Sequence, residues 1–97
     1  MWVKIHTSAG SRKIIAICDK DLLGKKVEEG RLQLDINEHF YKGEKKTKKE
    51  IVPLLKGSFI LNLVGEGAVA LGIELGLVDK LHVLYIKGIP HAQAVVE

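Results

Sequence analysis

A single domain of the α+β or α/β class is predicted by three observations. The N-terminal third alternates apolar and polar residues at the strand period of two. The C-terminal half reads strand–helix–strand, with glycines at the joints. The chain has 97 residues, 46% of them apolar and 28% charged, enough for one hydrophobic core and little more. The expected architecture over residues 1–97 is a single-domain sandwich. It has a mixed β-sheet with about two helices, an N-terminal β-hairpin and a C-terminal βαβ-like unit.

Val3 and Ile5 alternate with Lys4 and His6, as in a half-buried strand. Thr7-Ser8-Ala9-Gly10-Ser11 is turn chemistry, so strands one and two form a hairpin. Residues 13–18 are apolar on both faces from Ile14 onward, which predicts a central strand. Residues 19–30 are less regular, with Leu22 and Leu23 anchoring a turn before Gly24. In residues 31–36, Leu32, Leu34 and Ile36 alternate and are expected to point inward. Thr47 and Glu50 have capping-box spacing, and Ile51, Leu54 and Leu55 follow at helical spacing. Pro53 is expected to weaken or kink that helix, and Gly57 to stop it. Residues 59–64 predict an apolar strand interrupted by Asn62. Residues 66–75 predict a largely buried helix ending at Gly76. A buried strand is expected over 81–86, a turn at Gly88-Ile89-Pro90, and a short last strand over 92–96.

No apolar run approaches the roughly 18 residues a membrane span needs. The N-terminus reads as a strand and lacks the apolar core of a signal peptide. The single cysteine, Cys18, has no internal disulfide partner, and no Cys/His spacing suggests zinc. A reducing cytoplasm fits this usage. The net charge of +3 has one address: residues 42–50 hold five lysines against two glutamates, and the rest of the chain is balanced.

Three signals carry chemistry. Gly65-Glu66-Gly67-Ala68-Val69-Ala70 fits G-x-G-x-x-A between a predicted strand and helix. No acid follows at the end of the next strand to hold a ribose, and too little chain remains for such a sheet. Glu66 also opposes a bound phosphate. The small residues are therefore read as close helix–sheet packing, with no dinucleotide cofactor expected. The second signal is the cluster Lys42, Lys45, Lys46, Lys48 and Lys49, with Phe40 and Tyr41 just before it. Lysines neutralise backbone phosphates and aromatic rings stack on bases. The competing reading is a solvated surface, and the residues leave both open. The third is Asn62, His91 and Gln93 in apolar settings. A buried amide needs a partner. An imidazole at His91 near Glu66 supplies acid–base chemistry, but no nucleophile accompanies it.

Cys18-Asp19, Leu22-Leu23-Gly24-Lys25, Phe40-Tyr41-Lys42-Gly43, Asn62-Leu63-Val64-Gly65-Glu66, Gly76-Leu77-Val78-Asp79 and Pro90-His91-Ala92-Gln93 stand here in that order. Together they resemble the archaeal "domain of unknown function 424" family over nearly the whole chain. The segments around Asn62 to Glu66 and Pro90 to Gln93 are the most specific. Gly67 departs from the charged residue expected there, and Pro53 from a regular helix. The resemblance implies a small stand-alone cytoplasmic protein, described as predicted RNA-binding and linked to translation or RNA handling. It implies no activity, substrate or cofactor.

The leading expectation is a non-enzymatic RNA-binding protein. Lys42, Lys45, Lys46, Lys48, Lys49 and Tyr41 would contact RNA, and Asn62, Gly65, Glu66, His91 and Gln93 would form a pocket or partner site. The rivals are a protein-interaction module or homodimer, whose terminal strand pairs with another chain, and a small enzyme using His91 and Glu66. His91 or Gln93 is expected close to Asn62 or Glu66 in space, in one hydrogen-bonded cluster.

Overall fold

The computed structural model describes residues 1–7, 10 and 12–97. Its strands are β1 (Trp2–His6), β2 (Lys13–Cys18), β3 (Lys26–Glu29), β4 (Leu32–Asp35), β5 (Glu44–Lys45), β6 (Phe59–Val64), β7 (Leu84–Ile86) and β8 (Ile89–Val96). The α-helices are α1 (Glu38–Tyr41), α2 (Lys48–Ile51) and α3 (Glu66–Glu74). The fold is α+β. A six-stranded mixed sheet has the order β5-β1-β2-β6-β8-β7, and β3-β4 form a separate hairpin. β2 and β6 are parallel, and every other neighbouring pair is antiparallel.

The sheet is covered on both faces, which is why β2 is apolar all round. Ile15 and Ile17 join Phe59, Leu61, Leu63 and the α3 residues Ala68, Val69 and Leu71 in one core cluster. Ala16 and Cys18 join Leu34, Ile36, Tyr41 and Val64 in a second cluster on the opposite face. The hairpin β3-β4 and α1 therefore act as the second cover. In α3, a Cβ on Gly72 would press on Leu63 and Val78, so glycine sets the distance of closest approach.

The N-terminal hairpin β1-β2 forms as expected. Of the Thr7–Ser11 turn reading, Ser8, Ala9 and Ser11 lie outside the described residues. The capping box forms: the Thr47 hydroxyl accepts from the Glu50 N–H, and the Glu50 carboxylate accepts from the Thr47 N–H. These bonds hold the Glu50 carboxyl below its usual range. Pro53 weakens the helix, as expected, by cutting it short rather than kinking it. α2 ends at Ile51, and a 3₁₀ turn, Val52–Leu54, takes the proline in its first positions.

Three sequence expectations are corrected. Leu32 stays exposed at the hairpin's tip, while Leu34 and Ile36 are buried. Residues 81–86 are not one buried strand. Asp79 caps a 3₁₀ turn, Lys80–His82, Leu81 is 83% exposed, and only Leu84–Ile86 form a strand. The turn is Lys87-Gly88 rather than Gly88-Ile89-Pro90. Both residues have positive φ, 52° and 77°, the condition for a type I′ hairpin. Pro90 sits inside β8, beyond the end of β6, where its carbonyl accepts from the Gly65 N–H. The C-terminal unit is βαβ-like in that β6 and β7 run the same way, but β8 lies between them and is antiparallel to both. α1 and β5, which lead into the lysine segment, are too short to show a period in sequence.

Candidate functional site

The glycine corner is built by three pieces of chain. β6 ends at Val64, whose carbonyl accepts from the Asp19 N–H at 3.0 Å. Gly65 turns the chain at φ 104°, ψ 159°, a region open to glycine and to little else. The Asp19 carboxylate then accepts from the first free amides of α3, Gly67 N–H at 3.0 Å and Ala68 N–H at 2.9 Å. A helix N-terminus carries partial positive charge and unpaired N–H groups. Here the protein's own carboxylate fills that position, where a G-x-G-x-x-A turn would hold a pyrophosphate. Beside it lies a cleft of about 280 Å³ lined by Asp19, Asp21, Leu22, Glu66, Ile89 and Pro90 among others. Three carboxylates make it hostile to an anion. Among the described residues, no group of His, Cys, Asp or Glu is arranged to hold a metal ion.

The polar residues expected to cluster are close, as the parallel run of β6 and β7 requires. His91 lies opposite Val64 and Gln93 opposite Asn62 in the β6-β8 ladder. They do not form one hydrogen-bonded group. Asn62 is buried, and its Oδ1 accepts from the Tyr41 hydroxyl. His91 Nδ1 donates to the Leu63 carbonyl at 3.0 Å, which fixes the proton on that nitrogen because a carbonyl only accepts. Gln93 is exposed, and Gly65 and Glu66 line the cleft. Among the described residues no hydrogen bond or ion pair joins His91 to Glu66.

Tyr41 is only 3% exposed, so it offers no ring face to a base. Burial, and then the neighbouring Cys18, pushes its phenol well above the usual range. Burial and Asp19 likewise push the Cys18 thiol up to about 11. Both groups are held neutral in the fold. Their folded pKa values exceed the unfolded ones, so their contribution is complete below the unfolded values and is lost as pH rises through the folded ones. The urea midpoint is therefore expected to fall between about pH 9 and 11. Cys18→Ala should lessen that fall, and an unchanged pH profile in the variant would refute the assignment.

The lysines are placed at the sheet edge formed by β5, which pairs with β1 and sets Lys45 opposite Trp2. The Lys45 and Lys42 ammonium groups lie 5.4 and 5.9 Å from the centre of the Trp2 ring, within cation–π range. Lys42 is also 3.9 Å from Glu38, Lys46 pairs with Glu44 at 3.6 Å, and Lys48 reaches across to Glu74 on α3. Lys49 is exposed, with no ion pair among the described residues. Phe40 is half-buried and stacked on His6 at 4.7 Å. Trp2 was missed in sequence. The only signal for it there was its position in a strand, on the face opposite Val3.

The fold and this edge define a small α+β protein on a mixed sheet, with a basic rim centred on one tryptophan. The chain belongs to the family described as "Protein of unknown function (DUF424)", whose model matches residues 6–96. It is also similar to an uncharacterized conserved protein from Methanopyrus kandleri, known from its crystal structure. The two are 27% identical with a TM-score of 0.80, over 98% of this chain and 90% of that one. No curated protein matches.

Proposed function

We propose that the chain is an RNA-binding protein that takes unpaired bases and phosphates at the Trp2 edge. The observation that carries the reading is the indole of Trp2 flanked by the Lys42 and Lys45 ammonium groups. Base–aromatic stacking tolerates any base, and lysines beside it neutralise the backbone that a stacked base brings along. Tyr41 takes no part, because its hydroxyl serves Asn62. The family resemblance supports a cytoplasmic setting linked to translation or RNA handling.

The ion pairs change the electrostatics expected from the sequence. Five lysines meeting single-stranded phosphates give a slope of log affinity on log salt near −3.5. Lys46 and Lys48 are held by Glu44 and Glu74, whereas Lys42 meets Glu38 only at 3.9 Å with both side chains exposed, so the set open to phosphate is Lys42, Lys45 and Lys49. The expected slope is then about −2. Trp2 is the chain's single tryptophan, so its fluorescence reports stacking directly. Titration with oligouridylate should quench it, and replacing Lys42, Lys45 and Lys49 with glutamine should abolish most of the salt dependence. Absence of quenching, or an unaltered slope in the triple variant, would overturn the reading.

A further inference from the structure

We propose that the outer edge of β8 is a docking site for a second copy of this chain, which pairs antiparallel about Ala94. β8 runs from Ile89 to Val96, but β7 pairs only with Ile89, Pro90 and His91. From Ala92 to Val96, β8 has β6 on one side and, among the described residues, no strand on the other.

The backbone directions along this segment follow from its neighbours. The Pro90 carbonyl faces β6, where it accepts from Gly65. Residues at even positions of β8 therefore bond toward β6, and those at odd positions bond the other way. Gln93 and Val95 turn their N–H and C=O groups out past the end of β7.

This pattern is self-complementary, and the register about Ala94 keeps both outward residues of each copy within the open segment. With Ala94 opposite its own copy, Gln93 faces Val95 of the other chain, and Val95 faces its Gln93. Both are then hydrogen-bonded pairs, and every outward group of the segment is satisfied. A shift by one residue would set these groups against the partner's inward-turned ones.

No charge opposes the pairing. Nothing from Ala92 to Val96 is charged. Glu97, just beyond the segment, pairs with Arg12 of its own chain at 3.2 Å and so brings no unpaired carboxylate to the seam. The side chains that would close the seam are open now: Val95 is 61% exposed and Leu84 43%. Val95 continues the half-buried row of Ile14 and Ile60, which lie in register with it across the sheet. Sheet edges of monomers are usually guarded by lysine, proline or a bulge. The open part of β8 has none of these, since Pro90 lies in the paired part.

Sedimentation equilibrium on the full chain tests the proposal. The interface is small, so half-dimerisation is expected at concentrations on the order of 100 µM. Gln93→Pro removes an N–H that faces only the second copy, so it should weaken the dimer at least tenfold while the circular dichroism spectrum stays unchanged. Val95→Lys should do the same by adding charge to the seam, and it decides alone if the proline variant does not fold. Amide exchange at Gln93 and Val95 should slow as protein concentration rises, while exchange at Ala92 and Ala94 should not. A chain that stays monomeric at millimolar concentration overturns the proposal. So does a dimer whose affinity Val95→Lys leaves unchanged, as pairing through any other surface would give.

Discussion

Gly65→Ala is expected to lower folding stability by about 3 kcal/mol or more, the largest effect of any single methyl group at the glycine corner. Two costs add. The backbone at φ 104°, ψ 159° lies where an L side chain is strained by roughly 1–3 kcal/mol. A Cβ there also runs into the Asp19 carboxylate. Relieving the collision means moving Asp19 off the Gly67 and Ala68 amides, which uncaps α3 and costs about 1 kcal/mol more. Gly76 is the control. It also has positive φ, 73°, but a Cβ there meets nothing within 4 Å. Gly76→Ala should therefore cost only about 1–2 kcal/mol. Urea unfolding of the two variants measures both, and equal losses would show that Asp19 is not wedged against Gly65.

Tyr41→Phe is expected to cost about 1–3 kcal/mol, because it leaves the buried Asn62 oxygen without its donor. Asn62→Leu should be similarly damaging, stranding the Tyr41 hydroxyl. The double variant replaces both partners by apolar groups of like shape, so it should lose clearly less than the sum of the singles. A coupling energy near zero in that cycle would mean the pair is not a unit. Tyr41→Phe also separates structure from binding. RNA affinity measured well below the melting transition should be unchanged, since the ring is buried in the second core cluster and offers no face to a base.

The joint placement of Asn62, His91 and Gln93 was legible in advance, but their bonding was not. Two strands linked by one helix and running the same way bring the corner after Val64 and the turn before Ile89 to one end of the sheet, and the β6-β8 ladder does hold His91 opposite Val64. What each side chain bonds to depended on elements that had left no trace in the pattern. Tyr41 comes from a single-turn helix, and helices of that length have no period to read. The lysine segment looked like one basic face. The two-residue strand β5 and the one-turn helix α2 split it between Trp2, Glu44 and Glu74.

The sequence by itself determined what is decided within a few residues. The Thr47–Glu50 cap, the doubly apolar β2, the helix following Gly65 and the hairpin of β1 and β2 all rest on local hydrogen bonds, glycine backbone freedom and side-chain period. Only the tertiary structure decided what lies across the sheet. Asp19 reaches the start of α3 from 48 residues away, Tyr41 meets Asn62 from 21, and β8 inserts between β6 and β7. Strand order is chosen by how the whole chain covers both faces of one sheet. That choice sums burial over every element at once, so no short window of sequence contains it.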